Sequence, residues 1–150
     1  MVRRHRIWEM YLHQILGFSW DKVHQEAEQL EHASSDELVN RLEEVLGFPQ
    51  YDPHGDPIPS KEGVFPKEIK CIPLSKCIVG EHVTVVRVSD FDTSFLNYID
   101  TLGIQLQLSL VVAEVRAFDH SCVIQIGERR ESISEFTAQH IFVGKKGEQE

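Results

Sequence analysis

Residues 49–60, PQYDPHGDPIPS, place four prolines and a glycine in twelve positions. Proline fixes φ and removes a backbone donor, so neither a helix nor an interior strand runs through such a stretch. The chain must fold as separate pieces on its two sides. Those sides also differ in pattern, helical before the break and β-rich after about residue 72. A length of 150 residues suits one ordinary domain or two small ones.

In the first part, RRHRIWEMYLHQIL (3–16) carries Ile7, Trp8, Tyr11, Leu12 and Ile15 at helical spacing. Gly17 suits the cap at its end. Ser19 is the expected N-cap of a second helix running to about residue 33, with Asp21 in its first turn. Ser34 and Glu37 have capping-box spacing for a third helix, which would bury Leu38, Leu42, Val45 and Leu46 and stop at Gly47. Beyond the break, VTVVRV (83–88), LSLVVAEV (108–115) and CVIQI (122–126) read as strands, with a short one at Ser132–Ser134. TSFLNYIDTLG between the first two reads as a short helix closed by Gly103.

The expectation is α+β. A small three-helix domain with its Pro-rich loop covers 1–60, a linker 61–71, a β-barrel domain 72–144 and a frayed tail 145–150.

Charge and cysteine usage exclude several functions. A net charge of −9 repels phosphate backbones, so direct nucleic-acid binding by these residues is not expected. The three cysteines Cys71, Cys77 and Cys122 lack CxxC spacing and read as reduced core residues. No apolar run reaches the roughly 20 residues of a membrane span. Arg3, Arg4 and Arg6 are not followed by an unbroken apolar stretch, so the default location is cytoplasmic. No nucleophile arrangement marks an enzyme.

The stretch HQEAEQLEH (24–32) concentrates ionisable groups. At about 100° per residue, His24, Glu28, Glu31 and His32 fall within an arc of roughly 100° beside the apolar seam of Val23, Ala27 and Leu30. His5 and Glu9, four apart, share a face of the first helix. If the two helices pack antiparallel, these clusters face each other. Imidazole nitrogen with carboxylate oxygen suits Fe(II), Mn(II), Co(II) or Zn(II). A solvated acidic face and a general acid–base site are the competing readings of the same residues. His13 reads as a solvated or capping residue, and His54 in DPHGDP as a turn residue.

RRHRIWEMYL, KVHQEAEQLEHASSDELVNRLEEVLG and DPHGDPIPS together resemble the metal-binding and dimerisation domain of the diphtheria-toxin-repressor family of iron- and manganese-dependent repressors. IPLSKCIVGEHVTVVRVSDFDTSFLNYIDTLGI resembles the SH3-like, FeoA-type domain attached to many members. The resemblance implies that His5, Glu9 and His24 form an ancillary metal site and that Glu31 and His32 belong to the primary one. Glu28 stands where iron-sensing members often have cysteine and manganese-sensing members glutamate, whereas an SH3-like domain points to the iron branch.

The implied cofactor is Fe(II) or Mn(II), with Co(II), Ni(II) or Zn(II) as in vitro substitutes. Asp90 and Asp92 are candidate further ancillary ligands, against a reading as turn or N-cap residues. The family dimerises through these helices, which makes Trp8, Tyr11 and Ile15 candidate homodimer contacts. LQLS (106–109) departs from the family's usual proline-glycine turn. Family members read the DNA operator with an N-terminal winged helix that has no counterpart here. The implied function is metal sensing and dimerisation for a repressor with metal as corepressor. The alternative is a metal-responsive adaptor that regulates a transporter by protein contact, since in some relatives the repressor is joined to a permease.

Overall fold

The computed structural model describes residues 2–67 and 69–145. Its contacts divide the chain into two compact units, one of residues 1–68 and 90–100, the other of 69–89 and 101–150.

In the first unit, α1 (Val2–Gln14), α2 (Trp20–Ala33) and α3 (Asp36–Val45) close on a core of Ile7, Trp8, Leu12, Val23, Ala27, Val39, Leu42 and Ile58. Ile58 comes from the Pro-rich loop, so that loop is part of the bundle rather than a spacer. Three arginines near the start of α1 tie it to α2, α3 and the Pro-rich loop. Arg3 donates to Asn40 and, at 2.9 Å, pairs with Glu43 on α3. Arg4 donates to the carbonyls of Glu31 and Ser34 at the end of α2 and pairs with Asp36. Arg6 donates to the carbonyl of Pro57. Breaking a largely buried ion pair leaves a charge without its partner. Arg3→Leu is therefore expected to cost about 3 kcal/mol, read from urea unfolding followed by helical circular dichroism.

Two expectations for α3 are corrected. Its N-cap is Ser35, whose hydroxyl accepts from the amide of Leu38 at 3.1 Å. Ser34 instead ends α2, where its hydroxyl donates to the Leu30 carbonyl and accepts from Trp8 Nε1 at 2.7 Å. The buried stripe is Val39, Leu42 and Glu43, with Leu38 45% and Val45 70% exposed. Leu38–Leu42–Val45 and Val39–Leu42–Leu46 are both helical stripes that share Leu42, and the core takes the second. The end of α3 is a Schellman motif. Phe48 N donates to Glu43 O at 2.9 Å and Gly47 N to Glu44 O at 3.0 Å, with Gly47 at φ +76°.

In the second unit, β1 (Ile72–Pro73), β2 (His82–Val88), β3 (Ser109–Val115), β4 (Cys122–Ile126), β5 (Arg129–Ile133) and β6 (Ile141–Lys145) form one antiparallel sheet in the order β1-β6-β2-β3-β4-β5. A register shift between Val85 and Arg87 makes Val86 the extra residue of a bulge, which explains why the adjacent Val85 and Val86 are both buried. A second shift lies between Val112 and Glu114. Such bulges increase twist and curl a sheet.

Helix α4 (Thr93–Thr101) forms where expected, and α5 (Glu135–Gln139) follows β5. The sequence reading missed β1, β6 and α5. Gly144 and Lys145, assigned by that reading to the barrel's end and the tail, belong to β6; residues 146–150 lie outside the described residues. The chain is α+β, helices first and an SH3-like sheet after. No helix among the described residues is long and apolar enough to cross a membrane.

Candidate metal centre

Helices α1 and α2 pack side by side, and their donor-bearing faces meet. Along α1, His5 and Glu9 are one turn apart. His5 Nδ1 lies 3.2 Å from Glu31 Oε1 and its Nε2 lies 3.0 Å from His24 Nδ1. Glu9 Oε2 lies 3.5 Å from His5 Nε2 and 3.9 Å from His24 Nδ1. The two imidazole rings stand edge to face, their centroids 4.7 Å apart. One donor atom from each of His5, Glu9 and His24 lies within 4.8 Å of the others.

The carboxylate of Glu9 is the decisive member. Glu9 is 1% exposed and its Oε2 has no hydrogen-bond partner. An unsatisfied buried carboxylate oxygen is costly. A cation placed among these donors would satisfy it, so the set fits a divalent metal with nitrogen and oxygen ligands. His5 titrates above its ordinary 6.5. The contact with Glu9 raises it most, burial lowers it, and Glu31 raises it further.

Not every predicted ligand joins this group. Glu28 and His32 are exposed on α2. Among the described residues no donor cluster includes either of them. Asp92 is an N-cap: its side chain accepts from Ser94 N at 2.7 Å and its carbonyl from Leu96 N at 3.2 Å. Asp90 does reach a donor cluster, but with His54 and Asp56 rather than with His5. Trp8 packs in the chain's own core, Tyr11 lies partly buried against it, and Ile15 is 52% exposed. His13 Nδ1 meets the Phe18 carbonyl at 2.9 Å, a capping contact.

Sequence reasoning missed the loop 52–56. Asp52 Oδ1 accepts from the amides of His54 and Asp56 at 2.8 and 2.9 Å. Asp52 N donates to Asp56 O at 2.8 Å, and Gly55 takes φ +91°, which favours glycine. Trp20 Nε1 donates to the Pro53 carbonyl at 3.0 Å and pins the loop to α2. This folding carries His54 into the interior, where it is fully buried. A histidine between two aspartates, each two residues away, was the available signal.

Residues 1–60 match the model of the iron-dependent repressor metal-binding and dimerisation domain, and residues 72–145 match the FeoA domain. The fold is similar to that of a solved manganese-dependent transcriptional repressor in complex with manganese. That likeness has 42% identity and a TM-score of 0.85, and covers 96% of this chain and 68% of the other. A second manganese-dependent transcriptional repressor is 43% identical at a TM-score of 0.88, covering 95% and 77% of the two chains.

Among curated proteins, the iron-dependent repressor IdeR of Mycobacterium tuberculosis is 35% identical over 92 residues, 57% of this chain and 40% of that one. A Chlamydia trachomatis protein named "Probable metal transport system membrane protein" is 46% identical over 61 residues, 41% of this chain and 14% of its own length. The chain thus spans at most 40% of these two curated relatives. It belongs to the diphtheria-toxin-repressor family of metal-dependent transcriptional repressors.

Proposed function

We propose that this chain is the metal-sensing and dimerisation region of a transcriptional repressor that takes Fe(II) or Mn(II) as corepressor. The observation that carries this reading is the buried Glu9 oxygen, which no hydrogen bond satisfies, lying between the imidazoles of His5 and His24. His5, Glu9 and His24 would hold one ion. Glu31 is within hydrogen-bond distance of His5 and either orients that ring or moves to join Glu28 and His32 at the primary-type site on α2. The bound ion supplies positive charge that draws these carboxylates together and stiffens the α1–α2 pair.

Metal changes repressor function only through a difference in affinity between two conformations. A helix pair that closes on an ion provides such a difference. The family resemblance and exposed Ile15 support a homodimer. DNA reading is not a task for these residues, whose net charge is −9.

Anaerobic titration calorimetry with Mn(II) and Fe(II) tests the reading. Each of His24→Ala and Glu31→Ala is expected to weaken binding at least tenfold, and heats unchanged from those of the parent chain in both would refute it.

The pH dependence has a defined sign. In the metal-free chain, the raised pKa of His5 contributes stability that is complete below 6.5 and is lost as pH rises through the folded-state value. Metal needs the neutral imidazole, so it competes with that proton. The metal-induced rise in Tm should therefore keep growing from pH 6.5 to pH 8, while metal-free stability declines over the same window. Melting curves at several pH values, with and without Mn(II), check both slopes.

A further inference from the structure

A cavity of about 380 Å³ opens at the start of α1. Arg3, Arg4 and Asp36 line it from the helices, and Ser60, Lys61 and Phe65 line it from the chain that leaves the Pro-rich loop. None of these residues belongs to a cluster of metal donors. The lining holds three cationic side chains and one carboxylate, in a chain whose net charge is −9. Asp36 pairs with Arg4, and Glu43 pairs with Arg3 at 2.9 Å. Lys61 is exposed, and among the described residues no ion pair engages it, so its charge is uncompensated. At physiological ionic strength, exposed charges more than about 8 Å away are largely screened. The lining itself, rather than the net charge, therefore sets the field in the cavity.

The lining also has more donors than the chain uses. Both hydrogen bonds of Arg3 leave through Nη2, to Asn40 and Glu43, and its Nε is buried with no partner. A guanidinium has five N–H donors, so most of them are not given within the chain. The Ser60 hydroxyl oxygen accepts from Val64 N at 3.2 Å, which leaves its proton to donate. Ser60 N donates to Val64 O and Gly63 N to Ser60 O, each at 2.9 Å, with Gly63 at φ +81°. These bonds close the turn that carries Lys61, so the ammonium is presented from a fixed backbone. Guanidinium, ammonium and hydroxyl donors on two segments suit a group with several acceptor oxygens. A carboxylate offers two oxygens in one plane. A phosphate monoester offers three and nearly two charges. Phe65 and the buried Pro59 add an apolar wall on which an organic body can rest.

We propose that this cavity binds a small phosphate monoester, its oxygens held by Arg3, Lys61 and the Ser60 hydroxyl and its organic body set against Phe65 and Pro59. The ligand ties the start of α1 to the turn at 60–63. Arg4, balanced by Asp36 and bonded to the carbonyls of Glu31 and Ser34, holds the neighbouring wall in place. The site shares no ligand with the metal centre and does not rest on that reading.

The test is nitrogen-15 NMR of the metal-free full chain, titrated at constant ionic strength with phenyl phosphate, inorganic phosphate and benzoate in separate series. Phenyl phosphate should give saturable shifts in the Arg3 Nε–H signal and in the amides of Lys61, Glu62 and Gly63. Inorganic phosphate should move the same signals with weaker affinity, and benzoate should not saturate them. Lys61→Glu, a change at an exposed position, should weaken phenyl phosphate by about tenfold or more. Lys61→Arg keeps the charge and should stay within about threefold of the parent. If Lys61→Glu fails to fold by circular dichroism, Lys61→Met replaces it with the same expected direction. Benzoate binding as tightly as phenyl phosphate overturns the phosphate class. Shifts that grow without saturating, or an affinity that loss of the Lys61 charge leaves unchanged, overturn the site.

Discussion

Glu9→Gln should remove metal-linked stability while leaving the metal-free bundle intact. The substitution keeps the side chain's size and removes a buried charge whose Oε2 no hydrogen bond satisfies. At pH 8 the metal-free variant should match the parent or exceed it by about 1–2 kcal/mol. Loss of a direct ligand should weaken Mn(II) binding by at least the roughly 100-fold at the upper end for loss of an outer partner. A hundredfold loss removes about 2.7 kcal/mol of ligand-linked stability when metal is in excess. In a bundle of this size that amounts to a difference of several degrees in Tm. Melting curves in millimolar Mn(II) and in chelator measure the contrast. Parallel shifts in both conditions would mean that Glu9 acts only through packing.

The second large effect separates core from interface on α1. Trp8 is buried among Ile7, Leu12 and the other core residues, its ring nitrogen bonded to Ser34 Oγ. Trp8→Ala removes a large core side chain and leaves Ser34 without that partner. A loss of about 3–5 kcal/mol is expected, measured by urea unfolding. Ile15, half exposed near the far end of the same helix, gives its own bundle little. Ile15→Asp should leave helical content and Tm within about 0.5 kcal/mol of parent values at concentrations where both are monomeric, yet weaken homodimerisation tenfold or more, about 1.4 kcal/mol. Sedimentation equilibrium of the folded variant measures this. An unchanged dimer constant would exclude Ile15 from the interface.

Much of the helical half was legible because its signals are local. Spacing along RRHRIWEMYLHQIL and the cap positions predict three helices with short joints, and the structure has them. The cap of α3 was misplaced by one residue because Ser34 and Ser35 both suit the role, and only the contact of Trp8 with Ser34 separates them. The α3 stripe was misread for a related reason. Its apolar residues wrap widely enough to offer two stripes, and tertiary packing selects one. Strand β6 was missed because IFVGK is short and gains its identity by pairing with β2 and β1.

The candidate site divides along the same line. His5 with Glu9, and His24 with Glu31, are pairs within single helices, so periodicity alone brings them to one seam. His54 meets Glu9 only because the Pro-rich loop folds back on α1, and no local period encodes that approach. The prolines that end the helical half do more than break it. They shape the turn that carries Asp52 and His54 inward. Glu28 and His32 fit the same periodic pattern and lie exposed on α2 outside the His5–Glu9–His24 cluster; spacing nominates donors, and tertiary packing decides which of them meet.

In the proposed function, α1 and α2 share one divalent ion through imidazole nitrogens from both helices. Electron spin-echo modulation of substoichiometric Mn(II) in the intact chain reads nitrogen ligands directly. Nitrogen-14 couplings from His5 and His24 together are expected, with one contribution lost in His5→Gln and the other in His24→Gln. A spectrum without nitrogen coupling, or one that both variants leave unchanged, would contradict it.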